Sequence, residues 1–177
     1  SKNISYNKRI YHKLIKSMGD YGDLGLLPGH EALHDINTLK DEKKRWENIV
    51  NRSLSKALIK NYHLNFPDAY LNFNKIEIEE DYSMGYQRSI GFRAGTCTSF
   101  QFYDLNLEQV SGLIIRPYVM NSQVLRGENA FEIINELKHL KSAITSVNGE
   151  MNLIFENSDF VDTDFKNAIF ELMKDSK

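Results

Sequence analysis

Short apolar runs alternate with amphipathic helical stripes along this chain, and that alternation restricts its fold more than any other feature. Residues 6–19 place Ile10, Tyr11, Leu14, Ile15 and Met18 at helical spacing, with Gly19 as a stop. Residues 23–27 form a short apolar run before Pro28-Gly29, read as a buried strand entering a turn. Thr38-Leu-Lys-Asp41 reads as a capping box opening a helix to residue 51, with Leu39, Trp46, Ile49 and Val50 inward. A second strand is expected within 55–62, a short helix from Pro67 to residue 73, and an alternating strand over 76–79. Leu113-Ile-Ile115 runs into a strand at 116–120 that Pro117 ends or confines to an edge. The clearest helix covers 129–147, with Ala130, Ile133, Ile134, Leu137, Leu140 and Ile144 on one face and Asn148-Gly149 at its end. A buried strand at 151–155 follows, then a helix at 162–175 with Phe165, Ile169, Leu172 and Met173 inward. Such alternation predicts an α/β fold of parallel strands and amphipathic helices in one compact domain spanning 1–177.

Composition narrows the function classes. The 177 residues are 41% hydrophobic, enough for one full core. A net charge of −2 leaves no basic field for nucleic acid. The single cysteine, Cys97, excludes an internal disulfide and a cysteine-based zinc site, and it suits a reducing, cytoplasmic compartment. No apolar run approaches the roughly 18 residues of a membrane span, and nothing at the start reads as a signal peptide. A first residue other than Met fits a piece of a longer protein.

Between Asp81 and Asp104 neither helical nor strand periodicity holds. Tyr82, Tyr86, Phe92, Phe100, Phe102 and Tyr103 share this window with three glycines and with Arg88 and Arg93. The segment is therefore expected to be a structured loop. Rings and guanidinium groups on irregular backbone suit a polar, ring-shaped ligand such as a sugar. Arg93, between Gly91 and Gly95, could hold an anionic group or brace loop carbonyls; Arg116 has the same two readings.

Two further patterns carry chemistry. His30-Glu-Ala-Leu-His34 matches the H-E-x-x-H pattern of zinc peptidases, in which two helical histidines bind the metal and the Glu activates water. Here Pro28-Gly29 stands before it and a new helix starts after it, so a loop holding two histidines is the simpler reading. Asp20, Asp23, Asp35 and Asp81 could ligate a hard cation or act as a base, against turn or cap roles. Asp81 stands out because strand ends in parallel α/β folds gather sites.

Asp81-Tyr-Ser-Met-Gly-Tyr, Gly91-Phe-Arg-Ala-Gly-Thr-Cys, Phe102-Tyr-Asp-Leu105 and Leu113-Ile-Ile-Arg-Pro-Tyr-Val-Met120 together resemble the polysaccharide deacetylase-like proteins of bacterial surface-polysaccharide gene clusters. The similarity runs from about Asp23 to the C-terminus. The resemblance implies an incomplete (β/α) barrel of the NodB deacetylase type, without its first strand here. It also implies metal-dependent removal of N-acetyl groups from a sugar, with an Asp-His-His triad, a carboxylate base and a late His acid.

Position by position, little of that set is present. The early Asp pair has no counterpart. One metal-binding His falls at Leu27, the Arg-Gln-His motif at Lys60-Asn-Tyr62, and the late His at Glu156 in Phe155-Glu-Asn157. Leu cannot ligate a metal, and a Glu protonates a leaving amine only with a raised pKa. The resulting expectation is a catalytically degenerate relative. It would bind a carbohydrate or glycan, or act as a scaffold, through Asp81, Tyr82, Tyr86, Arg93 and Tyr103, and would need no cofactor. Asp81 and Glu156 remain the candidate catalytic groups. The alternative is an active hydrolase holding a divalent metal such as zinc at His30 and His34; a zinc peptidase through the same residues is more remote. Homo-oligomerisation, or association with a missing N-terminal segment, would cover an open barrel edge.

Overall fold

The computed structural model describes residues 7–60, 64–125, 130–161 and 163–174. The fold is mixed α/β with parallel strand pairing, as the alternation predicts. It has two compact units, one of Ser1–Tyr82 with Gln101–Ile114, the other of Ser83–Phe100 with Ile115–Lys177.

In the first unit, α1 (Arg9–Met18) packs Ile15 against α2 (Ile36–Val50). Ile15, Ile49, Val50 and Leu54 form a buried cluster, lined by Tyr11, Leu24 and Trp46. The cap of α2 is not Thr38. Asp35 lies extended before the helix and accepts hydrogen bonds from the Asn37 and Thr38 N–H groups and the Thr38 hydroxyl. Both residues are eligible caps, and the one whose backbone leaves the helix takes the role. Strand β1 (Lys56–Ala57) pairs in parallel with β2 (Glu80–Asp81), Lys56 beside Glu80 and Ala57 beside Asp81. The strand expected at 23–27 is reduced to one parallel bridge, Leu26 to Ala57.

Between these strands runs α3 (Asp68–Lys75), with Ala69, Tyr70 and Phe73 buried. Ile76 and Ile78 are buried as their alternation predicts, but no strand forms there. Ile76 ends α3, Glu77 adopts φ 58°, and strand pairing starts only at Glu80. Two longer strands complete the sheet, β3 (Phe100–Asp104) and β4 (Gln109–Ile115), in the order β1-β2-β4-β3. The expected irregular loop therefore ends at residue 99, and its last aromatic residues lie on an edge strand.

In the second unit, β5 (Tyr118–Asn121) pairs in parallel with β6 (Asn152–Ile154). Pro117 separates β4 from β5, consistent with its missing N–H donor. Helix α4 (Ala130–Ser146) buries Ile133, Ile134, Leu137 and Ile144, with Leu140 half-buried. Its end falls where Asn148-Gly149 predicts: Asn148 takes φ 52°, and the Gly149 N–H bonds Ile144 O at 2.9 Å. The 3-10 turn Asn157–Val161 leads to α5 (Thr163–Lys174), which buries Ile169 and Leu172. Met173, expected inward, is 47% exposed, because the stripe from Phe165 passes through Ile169 and Leu172 and leaves Met173 outside it. The expected first residues of the last two helices, Asn61, Tyr62 and His63 lie outside the described residues.

Candidate functional site

Asp81 ends β2, where a parallel α/β fold places chemistry, but its carboxylate is sealed. The residue has no exposed surface, and the Tyr70 hydroxyl donates to its Oδ2 at 2.8 Å. Tyr70 comes from α3 and meets Phe66 and Phe102 edge-on at ring-centre distances of 5.0 and 5.3 Å. The Tyr70 side chain that bonds the carboxylate is itself packed between two further rings. A metal ligand or general base must reach its target, and this packing gives substrate no path to Asp81. Tyr70 was not singled out from the sequence, since its eleven-residue separation from Asp81 carries no local signal.

The opposite face of β1 and β2 is polar, because neighbouring strand residues alternate sides. Lys56 Nζ lies 2.5 Å from Asp23 Oδ2 and 3.7 Å from Glu80 Oε2, and the Tyr82 hydroxyl donates to the same Glu80 oxygen at 2.6 Å. The hydrogen bond to Asp23 holds the Lys56 ammonium above the ordinary lysine range. Asp23 and Tyr82 thus act inside a local ion network. Lys56 was missed by sequence reasoning, as a lysine in a short strand has no spacing signature. Asp35 is the α2 cap, and the Thr38 hydroxyl, then the Thr38 N–H, hold its carboxyl below the ordinary range.

The glycine-rich segment is anchored by backbone. A Cβ on Gly85 would lie 2.3 Å from the Tyr118 ring, and Met84 O accepts the Tyr118 N–H at 3.1 Å. The Gly91 N–H donates to Val119 O at 2.9 Å, and the Glu150 N–H to Cys97 O at 2.8 Å. Ile90 and Phe92 pack against the buried core of this unit. Arg116 is structural here, its Nη1 lying 2.6 Å from Glu150 Oε1. On this braced segment Tyr86 remains 45% exposed, and Arg93 and Arg88 are exposed. Tyr103, on β3 of the first unit, is 48% exposed. Tyr82 and Tyr103 belong to one unit, Tyr86 and Arg93 to the other.

His30 and His34 flank a three-residue 3-10 turn, Glu31–Leu33, rather than lying along an α-helix. Both are exposed, and their ring centres are 5.0 Å apart. Among the described residues, no group of three or more His, Cys, Asp or Glu is placed to share a metal. Leu27, at the position of an expected ligand, is 49% exposed. Glu156 opens the Asn157–Val161 turn: its N–H donates to Asp159 Oδ2 at 2.6 Å, and its carbonyl accepts the Asp159 N–H at 2.9 Å. A groove of about 580 Å³ between the end of α3 and the β3–β4 connection, lined by Asn74, Lys75, Glu77, Asp104 and Gln109, holds none of these candidates.

Compared with known proteins, the chain matches no family model and no curated protein. No helix among the described residues is long and apolar enough to cross a membrane.

Proposed function

We propose that this protein is a non-catalytic carbohydrate-binding relative of the polysaccharide deacetylases, with a fold derived from their open (β/α) barrel. The observation that carries the reading is the braced display of Tyr86 and Arg93. The backbone beneath them is pinned at Gly85, Gly91 and Cys97, while both residues are exposed. A tyrosine ring offers an apolar face for a sugar and a hydroxyl for its polar rim, and Arg supplies a planar set of donors. Pre-organised backbone lowers the ordering cost of binding. The non-catalytic part rests on Leu27, which has no ligating atom, and on the closed environment of Asp81.

Titration calorimetry with N-acetylated oligosaccharides tests the proposal. Binding should weaken about tenfold in Tyr86→Ala, the loss of one stacking ring being worth roughly 1 kcal/mol or more. Arg93→Ala should weaken it as well. An affinity unchanged in both variants would overturn the site. Acetate release that requires His30 and His34 would overturn the non-catalytic reading and favour the hydrolase.

A further inference from the structure

The groove between the end of α3 and the β3–β4 connection lies wholly within the first unit and includes neither Tyr86 nor Arg93. Its volume of about 580 Å³ falls in the range of small-molecule sites. Leu71, Ile78, Leu107 and Val110 give it apolar lining; Ile78 is buried, whereas Leu107 and Val110 are exposed. Gly112, inside β4, also lines it. A Cβ at Gly112 would meet nothing within 4 Å, so the strand leaves open space at this point. Glycine weakens a strand interior, and it is often found where a ligand approaches the backbone closely.

The charged lining is unbalanced: Glu77, Glu79 and Asp104 against Lys75. Asp104 is only 5% exposed, and its Oδ1 accepts the Asn106 and Leu107 N–H groups at 2.8 and 3.3 Å. Its Oδ2 bonds no described residue. Glu77 and Glu79 alternate with buried Ile76 and Ile78, are exposed themselves, and pair with no described side chain. Lys75 Nζ donates to Asn72 Oδ1 at 3.3 Å. Among the described residues no three carboxylates are placed to share a metal ion. An ammonium group, by contrast, needs no converging ligand set, because each of its three N–H groups donates separately. We propose that this groove binds a small organic cation, a primary amine carried on an apolar body. The amine meets the carboxylates, and the body covers the apolar lining and the open space at Gly112.

Calorimetric titration of the intact chain with phenethylamine near neutral pH, where the amine is protonated, tests the site. One equivalent should bind. Phenylethanol, of similar shape without the charge, should bind about fivefold more weakly, the scale of one close charge pair in water. Added salt should narrow that difference by screening the exposed carboxylates. Glu77→Gln with Glu79→Gln should weaken amine binding about tenfold and leave the alcohol unchanged. Gly112→Val, which suits a strand and meets no neighbour at its Cβ, should fill the space and weaken both ligands. Tyr86→Ala, in the other unit, should change neither, which separates this site from the carbohydrate reading. Circular dichroism verifies the fold of each variant, and the glutamine pair keeps the test independent of packing at Gly112. No binding at millimolar amine, equal affinity for amine and alcohol, or amine affinity unchanged in the glutamine pair would overturn the site.

Discussion

The first unit buries ionisable side chains, whereas the buried polar groups described in the second are uncharged. Lys43, Asp81 and Asp104 are buried in the first; Ser83, Asn121 and Ser122 in the second. Each charged group of the first has a partner. Lys43 Nζ donates to Ile76 O at 2.6 Å, the Tyr70 hydroxyl to Asp81, and the Asn106 N–H to Asp104 Oδ1 at 2.8 Å. The second unit relies on volume. Val119, Met120 and Leu137 are fully buried, and glycines admit the Tyr118 ring and the Cys97 sulfur. The first is therefore vulnerable to loss of a partner, the second to an added atom.

Gly85→Ala puts that contrast to its hardest test. The new methyl would lie 2.3 Å from the fully buried Tyr118 ring, and a loss of about 3 kcal/mol is expected, read by urea unfolding. Gly149→Ala meets Cys97 Sγ at the same 2.3 Å, but Cys97 is half-exposed and can give way, so the loss should be smaller. Adding Cys97→Ala should recover part of it; strict additivity would show that this contact is not the cause.

Asp81→Ala comes next. It leaves the Tyr70 hydroxyl without this acceptor and opens a small void, for about 2 kcal/mol. Asp81→Asn keeps an acceptor oxygen and should cost less. Equal losses would mean that volume rather than the hydrogen bond matters, erasing the distinction between the units at this residue.

Two pH effects are smaller. Lys56 has a raised pKa when folded, so its pairing with Asp23 stabilises the chain below the ordinary lysine value of 10.5. That contribution is lost as pH rises through the raised value. Thermal melts in alkali should show a steeper decline for wild type than for Lys56→Met. Asp35 behaves with the opposite sign. Its folded pKa lies below 3.8, so its cap stabilises α2 above that pH and is lost as pH falls through the lowered value. Asp35→Ala should lower the melting temperature slightly near neutrality and flatten the acid limb. Parallel acid limbs in wild type and variant would remove the cap from the account.

Helices were legible in the sequence because their signal is local. The stripe of Ile133, Ile134, Leu137 and Ile144 predicts α4, and Asn148-Gly149 predicts its end. Strands were less legible. β1 and β2 are two residues each, too short for alternation to register, and β3 exposes Phe100, Gln101 and Tyr103 along an edge. Ile76 and Ile78 have the right burial for a strand and the wrong backbone, since Glu77 turns into the left-handed region. The candidate site shows the same division. Asp81 was singled out for its place after an alternating run, while its complete burial and its bond from Tyr70 come from the folded chain.

Residue chemistry and local periodicity are properties of the chain. They specify an α/β class, the apolar faces of the helices and a pair of histidines four residues apart. Distance and access belong to the folded molecule. Burial of Ala32 and the Glu42 contact to Gly29 set the turn that brings two imidazole rings to 5.0 Å. The Tyr70 ring closes over Asp81, and Tyr118 and Cys97 claim the space that Gly85 and Gly149 leave. Each of these contacts joins residues from different elements, or from both ends of a turn. Only closure of the backbone between them decides whether a side chain is sealed, paired or displayed.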